Sequence, residues 1–145
     1  MPGQPNIPGW LTFDVTKLEV REPMQPPPAF AQDIIDAGEP FDLVATFTGS
    51  GTDWINMKRA CLTGLQYQVR FYAEGQGANA PEIDFGMEVG NLSPGVDKYV
   101  VTHRVASGIS TRGLYQCSVT VEFPQKYGVL GYYQDLWIQV SPREQ

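Results

Sequence analysis

Apolar and polar residues alternate one for one over several stretches of this chain, most cleanly over Tyr115–Phe123. Tyr115, Cys117, Val119, Val121 and Phe123 share one parity, and Gln116, Ser118, Thr120 and Glu122 share the other. Side chains on a strand alternate faces, so this pattern predicts a half-buried β-strand. The same period places strands at Phe41–Thr48, Leu65–Tyr72 and Tyr99–Val105, with a last strand through Leu136, Ile138 and Val140. Residues 11–21 alternate with one irregularity near Thr16, and residues 82–92 can add a short strand. Residues 29–37 are read as room for a turn of helix. Gly38-Glu39-Pro40, Gly49-Ser50-Gly51, Ser93-Pro94-Gly95 and Ser107-Gly108 punctuate the chain. Pro124–Gly131 is read as a long hairpin loop.

Seven to nine short strands with no helical crossover imply mostly antiparallel neighbours and an all-β fold. Each strand has one apolar face, so two sheets should stack as a β-sandwich. The expected core is Phe41, Leu43, Phe47, Tyr67, Val69, Phe71, Val101, Val105, Val119, Val121, Leu136 and Ile138. Residues 1–38 read as a lead-in, a first strand and a Pro-rich loop, and 39–145 as the sandwich body of the same single domain. Pro23-Met24-Gln25-Pro26-Pro27-Pro28 should be extended, either as a stiff connection or as a recognition motif for a Pro-binding domain.

Composition adds limits. At 145 residues the chain can bury one core, and 15 Gly with 12 Pro supply the turns that many strands need. The net charge of −6 and a single basic pair, Lys58-Arg59, argue against a nucleic-acid partner. No apolar run reaches a membrane span. The N-terminal Met1-Pro-Gly-Gln-Pro-Asn resembles no secretory signal, so a cytoplasmic location is expected.

Gly113-Leu114-Tyr115-Gln116-Cys117 resembles the tyrosine corner of immunoglobulin-like β-sandwiches. The resemblance covers roughly residues 39–141 and implies fold only. It would make Phe41–Thr48, Leu65–Ala73 and Tyr99–Val105 strands B, C and E. Two departures separate the chain from antibody domains: strand C holds no Trp, and Cys61 follows strand B rather than lying in it. On this assignment Cys61 and Cys117 sit at opposite ends of strands about 20 Å long, beyond the ~7 Å a disulfide allows. Two reduced, packed thiols are expected, in keeping with the cytoplasm.

Candidate chemistry is sparse. His103 is the only histidine and falls on the inner parity of its strand, which favours a structural role. One His and two separated Cys do not make a zinc site. Glu82, Asp84 and Glu88 are too few and too loosely spaced for calcium. No nucleophile motif or phosphate loop is present, so no catalytic residue, metal or cofactor is expected.

The aromatics remain. Trp54, Met57, Tyr127, Val129, Leu130 and Tyr132 fall in or beside two loops that share one end of such a sandwich, where they could form a binding patch. They could equally tuck under those loops and cap the core, and both readings stay open. The expected function is a non-catalytic module for protein binding or assembly, with a protein partner or a homo-oligomer. The alternative is a carbohydrate-binding module using the loop aromatics.

Overall fold

The computed structural model describes residues 12–21, 34–51, 54–55, 66–76, 81–124 and 128–141. Eight strands are defined among them: β1 (Thr12–Arg21), β2 (Ile34–Asp36), β3 (Phe41–Ser50), β4 (Gln66–Gln76), β5 (Ile83–Asn91), β6 (Lys98–Val105), β7 (Gly113–Phe123) and β8 (Gly128–Ser141). They form a three-stranded sheet of order β1-β3-β6 and a five-stranded sheet of order β2-β8-β7-β4-β5. All ladders are antiparallel except β2 on β8. Among the described residues no helix is long and apolar enough to cross a membrane.

The inward parities of the two sheets meet in one core. Phe41, Leu43, Ala45 and Phe47 from β3 pack against Val69 and Phe71 from β4 and Tyr115, Cys117, Val119, Val121 and Phe123 from β7. Ten of the twelve expected core residues are buried, whereas Tyr67 and Val105 are only partly so. Tyr67 sits beside β5, the last strand of its sheet, where its ring lies over Gly90, at which a Cβ would stand 2.3 Å from the hydroxyl.

Tyr115 forms the corner that its spacing predicts. Its hydroxyl donates to the Thr111 carbonyl at 2.7 Å, four residues upstream, and burial raises its pKa. With the strand order, this contact makes the fold an immunoglobulin-like β-sandwich. The irregularity at Thr16 is also present. The β1–β3 register shifts between Val15 and Lys17, and the Thr16 hydroxyl donates to the Thr46 carbonyl at 3.3 Å.

Two expectations are corrected. Residues 34–36 are not a helical turn but strand β2, whose Ile35 is buried in the core while Ile34 and Asp36 face out. β-branched residues favour that pleated setting, and β8 supplies the ladder. The hairpin loop before the last strand is shorter than Pro124–Gly131, because β8 already begins at Gly128. Gly131 is required within the strand. A Cβ there would stand 2.6 Å from Val15 and 2.7 Å from Phe13, so its bareness lets β1 close over β8.

The other long side of the sandwich is closed by His103. Strands β5 and β6 are the neighbouring edges of the two sheets, and the imidazole spans them. Nδ1 lies 2.7 Å from Glu88 Oε2 and Nε2 lies 2.6 Å from the Phe85 carbonyl, with the ring stacked on Phe71. Both partners are acceptors, so a ring carrying both N–H groups satisfies them together. A bulge in β5 makes this possible. The β4 register shifts between Phe71 and Tyr72 across Phe85, Gly86 takes φ +108°, and Phe85 turns inward against Phe41.

Candidate functional site

Trp54 follows β3 in a helical turn, where the Ile55 amide donates to the Gly51 carbonyl at 3.1 Å. Its indole is fully buried. It lies against Phe13, Tyr99 and Phe123, with ring centroids 5.9–6.3 Å apart. Nε1 donates to Asp97 Oδ1 at 2.8 Å. Gly49 makes room for it, since a Cβ there would stand 2.4 Å from the ring. Trp54 is therefore a cap on the core, and its faces are taken. Tyr132 points the opposite way, exposed on the outer face of β8. The structure does not bring these two together. Val129 and Leu130 lie on β8, but their side chains are outside the described residues, as are Met57 and Tyr127.

The groups with chemical potential are engaged in structure. Besides His103 with Glu88, Asp84 accepts from the Gly86 amide at 2.9 Å. Among the described residues no group of three or more His, Cys, Asp or Glu could hold a metal ion. Cys117 is buried, and desolvation pushes its thiol up to about 12, so the nucleophilic thiolate is suppressed. Cys61 lies outside the described residues.

The outer faces of the two sheets differ in kind. On the three-stranded sheet, Glu19 takes Arg21 at 2.8 Å and Lys17 at 3.4 Å, and Asp42 takes Arg104 at 2.5 Å. That hydrogen bond raises the Arg104 pKa. The long side chains lie over β3, whose outward Asp42, Val44 and Thr46 are all buried.

On the five-stranded sheet the outward residues line up in cross-strand rows. Met87, Arg70, Thr120 and Tyr132 make one row across β5, β4, β7 and β8. Asp84, Tyr72 and Ser118 make the next, and Glu74, Gln116 and Trp137 follow. Leu114, Gln139 and Ile34 lie at the far end, and Val89, Gln68 and Glu122 at the near end. Six of the nine exposed large hydrophobic residues among those described are here: Ile34, Met87, Val89, Leu114, Tyr132 and Trp137. Arg70 and Glu122 neutralise each other at 3.2 Å. Uncharged amides and hydroxyls fill much of the rest, and Gln116 Nε2 donates to the Gln134 carbonyl at 2.9 Å. A shallow recess of about 570 Å³ lies at the Leu114 end, between Arg112 and Ser141.

Apart from Tyr132, sequence reasoning placed none of these residues in a site. Each is legible as an outward position on its own strand. Their grouping depends on the order β2-β8-β7-β4-β5, which no local pattern carries.

A scan against protein-family models found no match, and neither did a search of curated proteins. Solved structures with similar backbones do exist. One is the CARDB domain of the PF1109 protein from Pyrococcus furiosus, 14% identical at a TM-score of 0.46, with 92% of this chain and 87% of that one covered. Others are a β-glucosidase from Listeria innocua (12% identical, TM-score 0.47, 90% of this chain) and one from Kluyveromyces marxianus (13%, 0.40, 92%). The chain spans only 16% and 15% of those enzymes' lengths. Likeness at this level carries nothing about activity.

Proposed function

We propose that this chain is a non-catalytic module for protein binding or assembly, and that its contact surface is the outer face of the five-stranded sheet. The observation that carries this reading is the gathering of exposed Trp137, Tyr132, Met87, Val89, Leu114 and Ile34 on one face, whereas ion pairs lie across the centre of the opposite face and Val100 is the exposed large hydrophobic there among the described residues. Aromatic residues and Met are enriched in interface cores, and charged residues are depleted there. Single exposed hydrophobics are ordinary on a protein surface, whereas six on one sheet face, interspersed with polar residues, favour an interaction surface. A reduced Cys117 is in keeping with work in the cytoplasm.

The test is Trp137→Asp together with Tyr132→Asp. The pair should abolish association, read by crosslinking in the native cell and by light scattering of the purified chain, while leaving the melting temperature within a few degrees. Unchanged association in that folded variant removes this face from consideration.

A carbohydrate ligand is the second reading. It is favoured by Trp137 standing between the Gln116 and Gln139 positions, an aromatic platform flanked by amides, with the recess beside it. Trp54, buried, can contribute no stacking surface to it. A glycan screen read by Trp137 fluorescence decides this reading, and no response across the screen dismisses it.

A further inference from the structure

We infer that His103 is a proton-operated clasp: its charged imidazole ties the edge strands of the two sheets together, and loss of one ring proton releases them.

The geometry leaves the ring one fully satisfied state. Nδ1 lies 2.7 Å from Glu88 Oε2, and Nε2 lies 2.6 Å from the Phe85 carbonyl oxygen. Neither partner donates while Glu88 is ionised, so each nitrogen must carry a proton. A neutral ring has only one N–H. Whichever tautomer it takes, a nitrogen lone pair then faces an oxygen lone pair, and one of the two ties is lost. There is little room to adjust. Phe71 stacks on the ring with centroids 5.4 Å apart, and a Cβ on Gly86 would lie 3.4 Å from Cε1. Strands β5 and β6 belong to different sheets and share no ladder, so among the described residues these two bonds are the polar join between them.

Only 16% of the His103 side chain is exposed, and a buried cation needs a counter-charge. Glu88 supplies it. No other ionisable side chain among the described residues hydrogen-bonds the ring. From β3, Leu43 stands opposite His103. Tyr67 on β4 and Tyr99 on β6 lie farther along the same seam, and burial raises both phenols, which keeps them neutral where an imidazole titrates. Asp42, Arg70, Asp84 and Arg104 take outward positions on their strands. Shutting the clasp takes up a proton, so the join is firm on the acid side of the imidazole range and weakens as the pH rises through it. Met87 and Val89 stand on the outer face of β5, so the clasp also sets how firmly that side of the exposed face is held, whatever the face contacts.

His103 is the only histidine, so its titration can be followed without interference. Nitrogen and proton NMR of the full chain, from about pH 5 to 9, should show both ring nitrogens protonated at the acid end. As the ring loses its proton, the amide signals of Phe85, Glu88 and His103 should move with the same midpoint, and those of β1 should stay. In urea unfolding, the wild-type folding constant should fall about tenfold from pH 6 to pH 9 relative to His103→Gln, which keeps an amide donor but has no proton to lose. Glu88→Gln removes the counter-charge and keeps an acceptor, and should reduce that fall to about threefold or less. If His103→Gln does not fold, the wild type against Glu88→Gln makes the same comparison. A folded chain whose ring is neutral at the acid end overturns the inference. So do β5 amide signals that ignore the ring's titration, or wild-type and variant pH profiles that coincide.

Discussion

The two outer faces of this sandwich are built on the same pleat with opposite solutions to solvent. On the three-stranded sheet, Glu19, Arg21 and Arg104 lie across β3, and even the outward Val44 is left only 6% exposed. On the five-stranded sheet, outward apolar residues stand 41–62% exposed, and the ion pair Arg70–Glu122 covers none of them fully. The first face covers its central strand within the chain and leaves Val100 exposed at its β6 edge. The second leaves six large hydrophobics exposed, and that difference carries the functional reading.

The contrast between inside and outside on a single strand gives the largest expected effect. Cys117 faces the core and Ser118, its neighbour, faces out. At pH 8 the buried thiol should react with iodoacetamide about a thousandfold more slowly than an unfolded one from its thiolate fraction alone. A cysteine placed by Ser118→Cys should react freely, as mass spectrometry at timed intervals would show. Comparable rates at the two positions would refute the burial. The sign with pH follows. The folded thiol is raised from 9.0 to about 12, so its neutral form adds stability that is complete below pH 9 and is lost as the pH rises toward 12.

The same substitution on both faces comes next. Val44→Asp puts a carboxylate under the ion pairs and directly opposite Glu19, which should cost about 3 kcal/mol in urea unfolding. Val89→Asp, on the open face, should stay within about 0.5 kcal/mol. Equal costs would erase the distinction between the faces. Smaller still is Tyr115→Phe, which removes only the bond to the Thr111 carbonyl from the interior both sheets share. It should cost about 1 kcal/mol and leave association untouched.

How much of this was legible beforehand depends on the range of the signal. Strands β3, β4, β6 and β7 were visible in strict alternation, and Thr16 betrayed its bulge by breaking it. The corner at Tyr115 was visible because its partner is four residues away. Strand β2 was not, since three residues make no period and its ladder partner lies about a hundred positions downstream. The start of β8 was hidden for a related reason. Gly128 and Gly131 read as loop residues, and only the approach of Phe13 and Val15 explains a glycine inside a strand. Outward parity could nominate Trp137, Leu114 and Met87 one at a time. Strand order alone assembles them, and it is fixed by contacts between distant segments.

The clasp at His103 has a consequence for how copies can multiply. Open strand edges are templates for end-to-end pairing, which has no natural stopping point and leads to fibres. In β5 the bulge at Phe85 and Gly86 bends that edge, and the imidazole occupies the Phe85 carbonyl that an incoming strand would need. The same histidine that shuts the sandwich therefore also opposes the addition of a further strand at β5.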